Sequence, residues 1–228
     1  MLAVNVLAVA AVLTLNYFYQ LDGFDFTLKC VCSGGFALLG VINLAYALAS
    51  GCKCKRFYVG MASGLVLAML GDILIKYDFI VGAATFALGH VCFVVAYCFV
   101  QKMQPLDYII SGTIFAGAAA FLLLSPLLTF DEPVFRVVCI VYALIISAML
   151  GKAVGNFIRC KSLFCGIAAL ASALFFFSDL MLVFDWFIGL WDWTDHACMG
   201  TYYPALCMLA LSMIINLFEQ TKGNDENE

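Results

Sequence analysis

Residues 68–79 read AMLGDILIKYDF, a single aspartate set inside an apolar run. Apolar residues and a glycine precede Asp72, and Ile-Leu-Ile follows it. A charged side chain at the centre of a membrane-spanning helix costs about 2.5–3.5 kcal/mol on insertion scales, and less near the interface. Such a residue faces the interior of a helix bundle or water, and it marks a functional site by default. Whether this stretch is such a helix depends on the rest of the chain.

The chain has 228 residues, 65% hydrophobic and 11% charged, with a mean hydropathy of +1.06. Soluble domains are nearer half apolar and a quarter charged. There is too little polar surface here to coat a globule in water, so the class is an integral membrane protein. Spanning the hydrocarbon takes about 20 helical residues. Eight runs qualify, at 1–20, 28–50, 57–76, 79–101, 107–128, 133–151, 162–184 and 198–218. The first of them lacks the basic flank and cleavage pattern of a signal peptide and reads as a retained span. The expectation is an all-α bundle of eight transmembrane helices forming one domain, 1–218, with a polar cytoplasmic tail at 219–228. Pro126 is expected to end the fifth helix, and Pro204 to sit in the first turns of the eighth, where proline is tolerated.

The breaks between runs carry nearly all the charge. Basic residues fill 51–56 (GCKCKR) and 152–161 (Lys152, Arg159, Lys161), and Lys102 lies between Gln101 and Met103. The intervening breaks hold Asp22 and Asp25; Lys76 and Asp78; Asp131 and Glu132; and Asp185, Asp192 and Asp195. Basic and acidic loops thus alternate. The positive-inside rule then places both termini and the basic loops in the cytoplasm.

An internal repeat emerges when Asp72 is laid on Asp179. LAMLGDILIKYDFIVG then lies over LFFFSDLMLVFDWFIG, with Asp78 on Asp185 and Gly82 on Gly189. Matching charges at matching depth point to two parallel four-helix halves, 1–105 and 106–218. Helix rise puts Asp72 and Asp179 about 22 and 25 Å along their helices, and His90 about 16 Å from the outer side. All three could border one cavity. Two acids from two helices in a low-dielectric cavity would hold one proton between them, supplying an acid and a base together.

Simpler readings stand beside these. Asp72 could pair with Lys76, four residues on, although Asp179 has only Val183 at that spacing. Asp78 and Asp185 read as solvated helix ends, and His90 could be a packed core histidine. Lys29 could snorkel to headgroups or meet a substrate phosphate. Trp186, Trp191 and Trp193 read as an interfacial belt, and Tyr202 and Tyr203 as part of it or as the cavity mouth. Most of the eleven cysteines lie in apolar runs, where they act as small hydrophobes. Cys52, Cys54 and Cys160 lie beside basic residues, as free thiols or as palmitoylation sites. No motif for a metal, nucleotide cofactor or nucleic acid is complete, so no cofactor is expected.

Gly71-Asp72, Gly82, Phe86 and Gly89-His90 form GD-x(9)-G-x(3)-F-x(2)-GH, which resembles the YhhN-like lysoplasmalogenase family of multi-pass membrane proteins. So do Ser178-Asp179 after Leu174-Phe175, Tyr142 and Met149 at Y-x(6)-M spacing, and Thr201-Tyr202-Tyr203 followed by Ala210-Leu211-Ser212. Lys29 fits a lysine that the family usually follows with proline; Cys30 stands there here, and Leu206 stands where a glutamine is expected. The resemblance implies hydrolysis of the vinyl-ether bond of lysoplasmalogens to a fatty aldehyde and a glycerophospho-ethanolamine or -choline. Its partners would be a lysophospholipid substrate and membrane lipids. It implies Asp72 and Asp179 as the acid–base pair, His90 orienting water or headgroup, and Lys29, Tyr142, Ser178, Tyr202 and Tyr203 around the substrate. The endoplasmic reticulum is the membrane it suggests, with a bacterial inner membrane as the alternative. Two rivals remain at the level of sequence: an intramembrane aspartyl protease, and a non-enzymatic lipid-binding or transport protein.

Overall fold

In the computed structural model the backbone is described for residues 1–189 and 193–225, and side chains through Thr221. Among these residues the secondary structure is entirely helical: α1 (Leu2–Leu21), α2 (Phe26–Ala49), α3 (Lys55–Leu74), α4 (Phe79–Val100), α5 (Pro105–Leu124), α6 (Pro133–Cys160), α7 (Leu163–Phe187) and α8 (Trp193–Asp225). All eight are long and apolar enough to cross a membrane, so the chain is a multi-pass membrane protein. Trp191, Asp192 and the last three residues lie outside the described residues.

The helix starts follow local chemistry. Asp25 and Asp78 are N-caps, accepting from the backbone N–H of Leu28 and Val81 at 3.0 Å each, which satisfies donors that a helix start leaves unpaired. α5 and α6 each open with a proline at the first turn, where the missing N–H costs nothing.

Three boundaries differ from the expected ones. α6 runs on through Cys160, so most of the expected basic loop at 152–161 is helix. α8 begins at Trp193 and extends into the expected polar tail, reaching Asp225. Pro204 therefore lies inside α8 rather than in its first turns, beside two tyrosines of the site described below. Proline removes one helical hydrogen bond there.

α3 packs closely on α4, as α7 does on α8. α2 lies against α3 and α8, while α6 lies against α7 and α4. The neighbours of the second four helices thus follow those of the first. α5 departs from the pattern: among the described residues its backbone approaches only α6, whereas α1 touches both α2 and α8.

Glycines set the α3–α4 distance, as small residues do where apolar helices meet in lipid. A Cβ at Gly82 would fall against the backbone of Ile75, one at Gly71 against the Phe86 ring, and one at Gly64 against Phe93. Gly82→Leu is expected to destabilise by about 1–3 kcal/mol or more through overpacking. Thermal unfolding in detergent checks this. Gly117→Leu, where nothing lies within 4 Å, should leave the transition unchanged.

Candidate active site

Asp72 lies in the last turn of α3 and is almost fully buried. Its partner is not Lys76, whose ammonium sits over the Phe26 ring at 3.8 Å. α3 ends at Leu74, so Lys76 is no longer one turn along the same helical face. Lys29 of α2 takes the place instead, with Nζ 2.9 Å from Asp72 Oδ1. The Tyr203 hydroxyl donates to Oδ2 at 3.1 Å, and the Ser33 hydroxyl donates to the same oxygen. Asp72 is thus satisfied by α2 and α8 together. Lys29 is thus held by Asp72, with its side chain 14% exposed.

Asp179 of α7 has a different set of partners. The Tyr142 hydroxyl of α6 donates to its Oδ2 at 2.7 Å. His90 of α4 places Nε2 2.8 Å from the Tyr142 oxygen and 3.3 Å from Asp179 Oδ2. The other ring nitrogen, Nδ1, lies 3.1 Å from the Met149 sulfur. A thioether only accepts and a carboxylate only accepts. All these hydrogen bonds are made at once when both imidazole nitrogens carry protons. The contacts thus run as a chain from His90 Nε2 through the Tyr142 hydroxyl to Asp179 Oδ2.

Behind this ring, Phe175 packs on His90 with centroids 4.6 Å apart, and Tyr202 packs on Phe175 at 5.5 Å. The Tyr202 hydroxyl donates to the Ala68 carbonyl at 3.3 Å. Ser178 is buried against the Cys198 sulfur at 3.4 Å. Tyr202 and Tyr203 are both buried, so neither belongs to an interfacial belt.

No hydrogen bond joins Asp72 to Asp179 among the described residues. The expected shared proton is replaced by two separate polar clusters, because Lys29 compensates one acid and His90 with Tyr142 engages the other. The Asp179 cluster borders a cavity. An apolar cleft between α4, α5, α6 and α7 is lined by Phe79, Phe86, Phe121, Ile146 and Val183, with Tyr142 and Asp179 as its polar groups. Asp72 and His90 do not line it. The one cavity expected to hold all three residues is thus corrected to a cleft with Asp179 at its wall and His90 behind it.

A further polar cluster was not anticipated from sequence. Asp107, fully buried at the start of α5, accepts from Lys152 Nζ at 2.9 Å and from Arg159 Nη1 and Nη2 at 2.7 and 3.1 Å. It also closes a capping box with the Gln104 N–H at 3.0 Å. Lys152 is itself fully buried. The local sequence shows only a basic segment; its partner lies 45 residues upstream.

Cys160 is exposed, Cys54 half-buried and Cys52 buried. A thiol that is to be acylated must be reached, so only Cys160 keeps the accessibility that expectation requires. Among the described residues no group of three metal-ligating side chains comes together.

A sequence profile of the YhhN family matches residues 34–213, which takes in α3 to α7 and most of α2 and α8. No curated protein and no solved structure matches the chain.

Proposed function

The chain belongs to the YhhN family, and from that premise we propose that it hydrolyses the vinyl-ether bond of lysoplasmalogens, releasing a fatty aldehyde and a glycerophospho-alcohol. The observation that carries this reading is a carboxylate with a proton supply behind it, standing at the wall of an apolar cleft.

The chemistry follows from the substrate. In an enol ether, R–CH=CH–O–R′, the carbon remote from oxygen is the basic site. Asp179, protonated from His90 through Tyr142, donates to that carbon. The C–H bond forms from the π electrons, leaving an oxocarbenium ion between the adjacent carbon and the ether oxygen. The Asp179 carboxylate now faces the cation and stabilises it. A water adds to the cationic carbon as Asp179 accepts its proton. The hemiacetal then collapses: the C–O bond to glycerol breaks, the glycerol oxygen takes a proton, and the aldehyde leaves. The cleft excludes bulk water from the chain beside the ether, and its apolar lining matches a hydrocarbon.

Asp72 is a positioning residue in this account. With Lys29, Ser33 and Tyr203 it ties α2, α3 and α8 together. That fixes Tyr202, the neighbour of Tyr203, against Phe175, which in turn packs on His90.

Purified protein in detergent should release free aldehyde, detected by mass spectrometry, from 1-alkenyl lysophospholipid and none from the saturated 1-alkyl ether. No aldehyde from the alkenyl lipid would remove the reading. Tyr142→Phe breaks the relay while keeping the ring, so turnover should fall about 10²-fold or more with substrate binding preserved. Unchanged turnover would show that the proton reaches Asp179 another way.

A further inference from the structure

We infer that a second pocket, at the end of the bundle where α5 meets α6 and α7 ends, binds the cationic ammonium of the substrate headgroup; this rests on the lysophospholipid reading above. The pocket is lined by Thr129, Asp131, Phe135, Trp186, Phe187 and Gly189 among others. Its lining includes three aromatic residues and one aspartate. Aromatic faces attract cations, quaternary ammonium groups in particular, and a carboxylate supplies the formal countercharge.

The rings are braced rather than loosely exposed. Phe79 packs on Trp186 at 4.9 Å, on Phe187 at 5.3 Å and on Phe135 at 5.8 Å. The Thr129 hydroxyl reaches the Phe187 carbonyl at 3.5 Å. Trp186 keeps 46% of its surface exposed, although two of its neighbours are aromatic. An interfacial belt accounts for one exposed tryptophan but not for a pocket that an aspartate also lines. Arg136 stands over the Phe130 ring at 5.1 Å, and that ring meets Phe187 at 4.6 Å. The guanidinium is thus one ring from the pocket, within reach of the phosphate that precedes the ammonium.

The two sites are neighbours along α7. Phe79 walls the Asp179 cleft as well as bracing the second pocket. Along α7, Trp186 and Phe187 lie seven and eight residues beyond Asp179, about 11–12 Å at the helical rise. In the substrate, ten bonds separate the vinyl-ether carbon from the headgroup nitrogen. An extended chain advances about 1.2 Å per bond, which gives about 12 Å. A lysophospholipid with its ether at Asp179 therefore reaches the aromatic pocket with its ammonium.

The test uses non-hydrolysable probes, so that binding is read independently of turnover. Binding of 1-O-hexadecyl-glycero-3-phosphocholine and of 1-O-hexadecyl-glycero-3-phosphate to the purified full chain is compared in the same detergent. The choline lipid should bind at least about tenfold more tightly. Trp186→Leu and Asp131→Asn should each bring that ratio toward one, and Trp186→Phe, which keeps a ring, should retain most of it. A ratio near one in the wild type, or a ratio unmoved by both Trp186→Leu and Asp131→Asn, overturns the inference. Should the protein release no aldehyde yet keep the choline preference, the catalytic reading falls and the headgroup pocket stands. Aldehyde release without any headgroup preference leaves the catalytic reading standing and overturns the pocket.

Discussion

Asp179→Asn is expected to lower aldehyde release by about 10²–10⁴-fold, the loss typical of removing a general acid–base group, in a protein that remains folded. Asparagine has the same shape, and its amide oxygen can still accept from Tyr142, which donates at 2.7 Å in the native protein. What it cannot do is deliver a proton to carbon or face an oxocarbenium ion with a negative charge. Asp72→Asn should behave differently. It strips the countercharge from Lys29, whose ammonium lies 2.9 Å away with a side chain only 14% exposed. The cost there falls on stability, and activity declines only as Tyr202 and Phe175 loosen behind His90. Aldehyde release and thermal unfolding, measured on both variants, separate the two roles. Equal loss of turnover in both, with equal and undisturbed unfolding, would restore the reading in which the two acids act as one catalytic pair.

Asp107→Leu is the second large effect, and it concerns folding alone. Lys152 loses its countercharge while remaining fully buried, keeping only the Lys102 carbonyl at 3.1 Å, and an uncompensated buried charge typically costs about 3–5 kcal/mol. Arg159 is more exposed and can turn toward water. There is no slack in the site to absorb the change: a Cβ at Gly155 would strike Asp107 Oδ1. Since, among the described residues, the backbone of α5 approaches only α6, the damage should appear as detachment of that helix. Adding Lys152→Met should recover much of the loss, because replacing both members of a buried pair by apolar groups is far less costly than removing one. Unfolding midpoints of the single and double variants decide it; a double variant no better than the single would contradict the assignment to Lys152.

The eight spans were legible because apolar length is a strong local signal and charged breaks punctuate it. The end of α6 was not, because Lys152 and Arg159 look like loop residues until Asp107 is brought to them from another helix. Lys76 misled for a related reason. Spacing of four suggests a helical pair with Asp72, but the helix stops at Leu74 and the ion pair is made across the bundle with Lys29. At the candidate site, the residues themselves pointed to Asp72, His90 and Asp179, the family resemblance added Tyr142 and Tyr203, and each makes a buried polar contact. Their partition into two clusters was hidden, since depth along a helix says nothing about which way a side chain turns. Ser33 went unnoticed altogether, although its spacing of four from Lys29 on an apolar helix was a usable hint.

The central claim is that a proton from Asp179 goes to carbon. Turnover of 1-alkenyl lysophospholipid in D2O, with the aldehyde trapped as it forms and weighed by mass spectrometry, tests it most directly. The account predicts an aldehyde carrying one deuterium on the carbon next to the carbonyl. Aldehyde without that label, or no aldehyde at all, would contradict it.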